Sequence, residues 1–361
     1  MKIFMTMNLT PAYAAALSSR FRPGMTSEQM FDIIWRDRPK AHIPIPPKGS
    51  GTEILLRNFR FEQVQRTWAH EKGMPKSASL EEIALAQIEE SGAEILYNHN
   101  WVLMSKGFVA RLPGCVRMTI AWHGAPAPNR NFTQYDLVLS NFPSLNALHA
   151  AQGAKRVAYF SPSHDPDAEQ YIQDAVNRDI DVLFVGTYSR HHTQRARLIQ
   201  AIATLDERHR VQLYLQNSRF TRLAETPLGW MGPLRKVRRP RQVRRIAKPP
   251  VFGHDLYRLI GRSKIVINMA INYAGNDRGN MRCFETLSCG ACLVSDRGSY
   301  PPGFKDGVTF SGYDSVEHAL EKIRILLEDP KQAIQLGQAG YNMLRKKYSK
   351  NAQWNQFLAL L

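Results

Sequence analysis

The chain has 361 residues, 43% of them hydrophobic, and its 48 lysines and arginines against 31 acidic residues give a net charge of +17. That length suits two domains better than one core, and the charge implies an anionic partner such as a nucleotide diphosphate, acidic glycan, lipid headgroup or nucleic acid. No apolar run approaches the roughly 20 residues of a membrane-spanning helix, the start leads into a strand rather than a signal peptide, and 4 cysteines are too few for a disulfide framework, so a cytoplasmic protein is expected.

Lys2 to Met7 reads as a first strand, followed by a loop through Pro23. Thr26 with Gln29 makes a capping box for a helix ending near Trp35, and Pro39 to Gly51 is a Pro/Gly-rich connector. Thr52 to Leu56 is a strand and Gln65, Trp68, Ala69 and Glu71 belong to a helix. Ser79 and Glu82 cap the helix Leu80 to Glu90, and Ala93 to Tyr97 is the next strand. Val116 to Trp122 runs straight into His123-Gly124-Ala125-Pro126, a turn at the carboxyl end of a strand, where open α/β sheets place ligands. Tyr135 to Ser140 and Arg156 to Phe160 close this half, and the Ser/Pro/Asp-rich turn Ser161 to Pro166 marks a boundary.

A second α/β series follows. Asp181 to Val185 leads through Gly186 into a helix with Arg195, Leu198, Ile199 and Ile202 at core spacing. Val211 to Leu215 is a strand, Asn217 to Pro250 is irregular and basic, Phe252 to Tyr257 opens a helix, and Lys264 to Met269 is a strand. Asp277 begins a Gly/Asn-rich loop, Met281 to Ser288 has helical character, Gly290 stops it, and Ala291 to Ser295 is a buried strand. Ser315 to Glu328 and Pro330 to Lys347 are amphipathic helices, and Asn351 to Leu361 is a last one. Alternation of this kind predicts α/β architecture with two Rossmann-like domains, their parallel sheets facing across a cleft. The expected units are 1–168, 169–347, and a terminal helix over 348–361 that packs back on the first domain.

Asp277 and Glu285 frame a helix start, where backbone N–H groups and the helix dipole favour phosphate. The segment resembles the Glu-x7-Glu stretch of the group 1 glycosyltransferases of the GT-B fold, with Asp in place of the first Glu. Arg-x-Phe-Glu at Arg282 to Glu285, followed by Ser-Cys-Gly-Ala-Cys-Leu-Val-Ser-Asp, is similar to the CgeB-like branch. The resemblance implies that Glu285 holds the nucleotide ribose and Asp277 the donor sugar, with the Gly279-Asn280 backbone cradling the pyrophosphate. It also implies a basic residue after the Phe-Val-Gly strand, hence Arg190 and Arg195 beside Gly186. Arg282 is a further phosphate candidate or a simple ion-pair partner of Glu285. His123, directly after a strand, resembles the His-Gly that faces the donor sugar in this superfamily and is the candidate to bond sugar or act as base.

No metal site is expected. Asp165-Pro166-Asp167 lies in the boundary turn, Asp179-Ile180-Asp181 enters a strand at its amino end, and Cys289-x-x-Cys292 lacks a second pair. The implied activity is metal-independent sugar transfer, with no cofactor, from a nucleotide sugar to a glycan, lipid-linked or protein acceptor. Cell-surface glycan biosynthesis is the expected setting. The rivals are a nucleotide-sugar epimerase of the same fold and a basic nucleic-acid-binding protein. The run from Arg235 to Lys248 lacks the interleaved aromatics of a nucleic-acid site, which makes nucleic acid the lesser partner. Peripheral contact with anionic membrane fits it better, and replacing Arg238, Arg239, Arg244 and Arg245 by Gln is expected to spare folding.

Overall fold

The computed structural model describes residues 1–99, 106–126, 130–188, 192–216, 219–230, 232–236, 238–271 and 273–361. In the amino-terminal half, β1 (Lys2–Thr6), β2 (Glu53–Arg57), β3 (Ile95–Asn98), β4 (Met118–Trp122), β5 (Leu137–Ser140) and β6 (Val157–Tyr159) form a sheet in the order β2-β1-β3-β4-β5-β6. In the carboxyl-terminal half, β7 (Ile180–Gly186), β8 (Val211–Leu215), β9 (Ala247–Lys248), β10 (Ser263–Asn268), β11 (Cys292–Asp296) and β12 (Ser311–Tyr313) form a second, in the order β12-β11-β10-β7-β8-β9. Every pairing in both sheets is parallel. Strands such as Ile3-Phe4-Met5 and Val182-Leu183-Phe184 are apolar on successive residues because helices cover both faces of each sheet. In both sheets β1 and β7, the first strands of their halves, lie beside a later strand rather than at an edge, which opens a topological switch point at their carboxyl ends.

The local signals explain most elements. Thr26 and Gln29 exchange side-chain and backbone hydrogen bonds at the start of the helix Ser27–Asp37, and Ser79 and Glu82 do the same for Leu80–Ser91. The stretch after β1 departs from expectation. Instead of a loop, Pro11–Ser18 is a helix, because Thr10 accepts a bond from Tyr13 N, Pro11 occupies the first turn, and Tyr13 and Leu17 are buried on one face.

The basic segment is a second correction. Residues 217–250 include the short helices Arg219–Ala224 and Arg241–Ile246 as well as β9, and Val243 belongs to the second core. Arg238 donates to the carbonyls of Ala224 and Thr226, both at 2.6 Å. Arg239, 5% exposed, grips both oxygens of Glu225. Two of the four arginines whose replacement was expected to spare folding are therefore internal ties.

The halves are stitched by buried polar contacts. Asp165, fully buried between β6 and β7, accepts from the Tyr257 hydroxyl at 2.7 Å and from the Lys40 amide, while its own amide donates to Ser288 Oγ. His164 beside it pairs locally with Glu169 at 2.8 Å, and its amide donates to the Tyr348 carbonyl at 2.7 Å. The helix Lys350–Leu358 returns to the amino-terminal half and sets Trp354 and Phe357 into the core that contains Ile3, Met5, Ile95 and Tyr97. Among the described residues, no helix is long and apolar enough to cross a membrane.

Candidate active site

A cavity of about 430 Å³ lies where the two switch points meet. The carboxyl-terminal wall is built by Gly186 at the end of β7, Tyr214 and Gln216 at the end of β8, Pro250 and Val251 after β9, and Met281, Arg282 and Glu285 on the helix Met281–Ser288. That helix is amphipathic: Cys283, Phe284 and Leu287 anchor it in the core while its first turn faces the cavity. The amino-terminal wall is built by Asn8 after β1, Arg38 and His42 after the helix Ser27–Asp37, His99 after β3 and Trp122 at the end of β4.

Glu285 is buried, and its carboxylate accepts from Arg282 Nη1 at 2.6 Å. Burial pushes its pKa up, Arg282 pulls it down and the nearby Asp165 pushes it up again. One carboxylate oxygen, Oε2, is engaged by Arg282, and none of the hydrogen bonds described reaches the other. This is the chemistry of a group that receives a hydroxyl donor.

The opposite wall has a different character. His99 stacks flat on Trp122 with ring centroids 4.3 Å apart, and His42 sits 4.7 Å from the same indole. Burial holds His42 at about 3 and lowers His99 well below the usual imidazole range, so both rings are neutral. Buried polar atoms without a hydrogen-bond partner gather around this one cavity: both side-chain atoms of Asn8, Arg38 Nε, His42 Nδ1, His99 Nε2, Trp122 Nε1 and Arg282 Nε. Native interiors pair nearly all such groups, so a concentration of them marks a place that a polar ligand completes.

The structure thus brings Glu285, Arg282 and Gly186 together and adds five residues that sequence reasoning did not name. Asn8 and His99 were findable, since each directly follows a strand at a switch point; nothing in the sequence marked Arg38 or His42. The other expected site residues lie elsewhere or are committed. Arg190 lies outside the described residues. Arg195 lines a separate cavity with Arg278 and Asp296, and its guanidinium donates to the Met269 carbonyl. Asp277 reaches across to the amino-terminal domain, where its carboxylate accepts from Ser144 N at 2.7 Å and serves the first turn of the helix Ser144–Ala151. The Asn280 side chain bonds Asn268 at 3.1 Å, and Gly279, at a φ of 93°, would press a Cβ against Pro301, which gives both a structural reason. His123 does not line the cavity; it packs by His149 and Phe132, and burial, His149 and Arg130 lower its pKa to about 4. The Cys289 and Cys292 thiols are buried with raised pKa values, and no group of three or more His, Cys, Asp or Glu among the described residues is placed to hold a metal ion.

Residues 190–359 match the family described as glycosyl transferase-like. No curated protein matches the chain in sequence. Among solved structures, Anabaena HepE in complex with UDP and glucose superposes with a TM-score of 0.56 at 14% identity, over 100% of this chain and 99% of that one. Sucrose-phosphate synthase from Thermosynechococcus elongatus gives 0.57 at 13% identity, over 100% and 98%. An α-glucosyltransferase in complex with UDP and a 13-mer DNA gives 0.61 at 12% identity, over 100% and 99%. At such identities the superpositions speak for the fold, which is that of the GT-B enzymes, and the family match makes the carboxyl-terminal half, residues 190–359, glycosyl transferase-like.

Proposed function

We propose that the protein transfers a sugar from a nucleotide-sugar donor to a glycan, lipid-linked or protein acceptor in the interdomain cavity, without an essential metal. The carboxyl-terminal wall holds the donor and the amino-terminal wall the acceptor. The observation that carries this reading is the pairing of Glu285 and Arg282 at a helix start with the unpartnered polar atoms of Asn8, His99 and Trp122 on the facing wall of one cavity. Glu285 receives the ribose hydroxyls, and the first turn of the helix Met281–Ser288 with Arg282 balances the diphosphate that leaves as the anomeric bond breaks. The pocket at the ends of β7, β8 and β9, formed by Gly186, Tyr214, Gln216 and Val251, takes the base. The likeness of Arg282–Asp296 to the CgeB-like branch is part of the same reading.

That UDP accompanies HepE and the α-glucosyltransferase favours a uridine donor. Titration calorimetry with UDP, GDP, dTDP and CMP tests this: one diphosphate binds well above the rest, and failure of all four removes the donor reading. A nucleic-acid acceptor is the second reading, favoured by the DNA-bound relative and the charge of +17. It requires a salt-dependent mobility shift on mixed-sequence DNA. Peripheral attachment to an anionic membrane on the cytoplasmic side belongs to the same proposal. It draws on Phe220 and Leu223, exposed beside the basic segment, and co-sedimentation with anionic vesicles tests it.

A further inference from the structure

Among the described residues, Arg38 is an arginine without a counterion. The residue follows the helix Ser27–Asp37 and lines the cavity, yet none of the ion pairs among the described residues includes it and its Nε is buried with no acceptor. The neighbouring acid is already engaged: Asp37 accepts from the Tyr13 hydroxyl at 2.8 Å and from Arg20 at 2.7 Å. Desolvation pulls the Arg38 pKa down to about 10, opposed only by Tyr13, so the guanidinium stays charged at neutral pH with nothing to balance it. A half-buried cation whose Nε is shut off from water is costly in this condition unless something anionic arrives.

The surroundings indicate where that anion sits. Arg38 contributes to lowering the pKa of both His42 and His99, whereas the field at Glu285 is set by Arg282 and Asp165. Arg38 therefore belongs electrically to the aromatic shelf of the amino-terminal wall and not to the donor carboxylate. His42, only 7% exposed, lines the same cavity with an unpartnered Nδ1, and His99 and Trp122 add an unpartnered nitrogen each. Lys350, the other cation near His42, is committed elsewhere: its ammonium donates to the carbonyls of Lys40 and Ile43. Among the described residues, the uncommitted charge on the shelf is the one on Arg38.

We propose that Arg38, with His42, His99 and Trp122, forms a subsite that binds an anionic group, phosphate or carboxylate, carried on the ring of the acceptor sugar. This rests on the cleft being the transfer site and adds to it the charge class of the acceptor. The planar guanidinium supplies paired donors to the anion, and the imidazole and indole nitrogens supply neutral hydrogen bonds.

Calorimetric titration with glucose, glucose 6-phosphate and glucuronate tests the subsite. At least one charged probe binds about tenfold or more tighter than glucose, as a charge-assisted bond requires. The identity of that probe separates a phosphate from a carboxylate site. Arg38→Gln removes the preference at a melting temperature no lower than that of the unaltered protein, and Arg38→Lys retains part of it. UDP affinity is unaffected by Arg38→Gln, and bound UDP does not exclude the charged probe. The proposal is overturned if the charged probes bind no better than glucose, or if their preference survives Arg38→Gln. It is also overturned if UDP displaces them and Arg38→Gln weakens UDP, which makes Arg38 a ligand of the donor diphosphate. UDP titration of the unaltered protein judges the donor reading separately.

Discussion

The two walls of the cavity are constructed on opposite principles. The carboxyl-terminal wall takes Arg282 and Glu285 from one helix turn and ties them to each other before any ligand arrives. The amino-terminal wall assembles Asn8, Arg38, His42, His99 and Trp122 from four separated stretches of chain and leaves a polar atom of each unpaired. Under the proposed function, the wall that meets ribose and diphosphate is served by one compact motif, whereas the wall that meets a particular acceptor is shaped by loops at strand ends.

The largest expected effect breaks the donor wall. Glu285→Gln keeps the shape but loses a charged acceptor worth about 1.5–3 kcal/mol, so nucleotide affinity falls at least about tenfold in calorimetry. Because burial and Asp165 raise the pKa of Glu285, donor affinity in the unaltered protein also weakens on acidification from a higher pH than for an ordinary carboxylate. The Gln variant lacks that dependence. Unchanged nucleotide affinity in a folded Glu285→Gln protein removes this residue from the site.

Next in size is the support behind the donor wall. Arg239→Gln leaves Glu225 without its bidentate partner, and the variant loses about 2 kcal/mol in urea unfolding, a figure at the lower end for a paired buried charge because Glu225 is partly exposed. Arg245→Gln, whose partner Asp206 lies at 3.4 Å on the surface, changes stability by less than about 1 kcal/mol. Equal stability of the two variants contradicts the internal role of Arg239.

The acceptor wall carries the pH dependence. His42 stands near 6.5 when free and at about 3 in the fold. The unfolded chain therefore binds the extra proton between these values, and stability is lost as pH falls from about 6.5 towards about 3, with a slope of about 1.4 kcal/mol per pH unit for this residue. Urea midpoints from pH 7 to 5 fall less steeply in His42→Gln; identical slopes place the titration elsewhere.

The smallest effects separate this wall from its neighbour. Trp122→Phe keeps the stacking face and removes the indole N–H, so the acceptor KM rises by up to about tenfold, the worth of one hydrogen bond. His123→Gln, outside the cavity lining, changes turnover less than Trp122→Phe does. The reverse order returns to His123 the role of bonding the sugar or acting as base.

Alternating apolar strands and capped helices determined the α/β architecture, because the periods of strand and helix and the capping boxes Thr26/Gln29 and Ser79/Glu82 are local properties of the chain. The helix and strand between Arg282 and Asp296 were equally legible, since they are contiguous and joined by a tight turn. Tertiary structure decided the rest. Asp277 stands in a motif, but only the approach of the other domain shows its carboxylate serving Ser144. His123 occupies a strand end, yet its neighbour Trp122 is the residue that lines the cavity. Arg38 and His42 sit in an unremarkable connector and acquire a role only because folding buries a charge and a ring nitrogen without partners. Local pattern encodes which face of an element is buried, but whether a polar group ends paired or waiting depends on what distant segments bring to it.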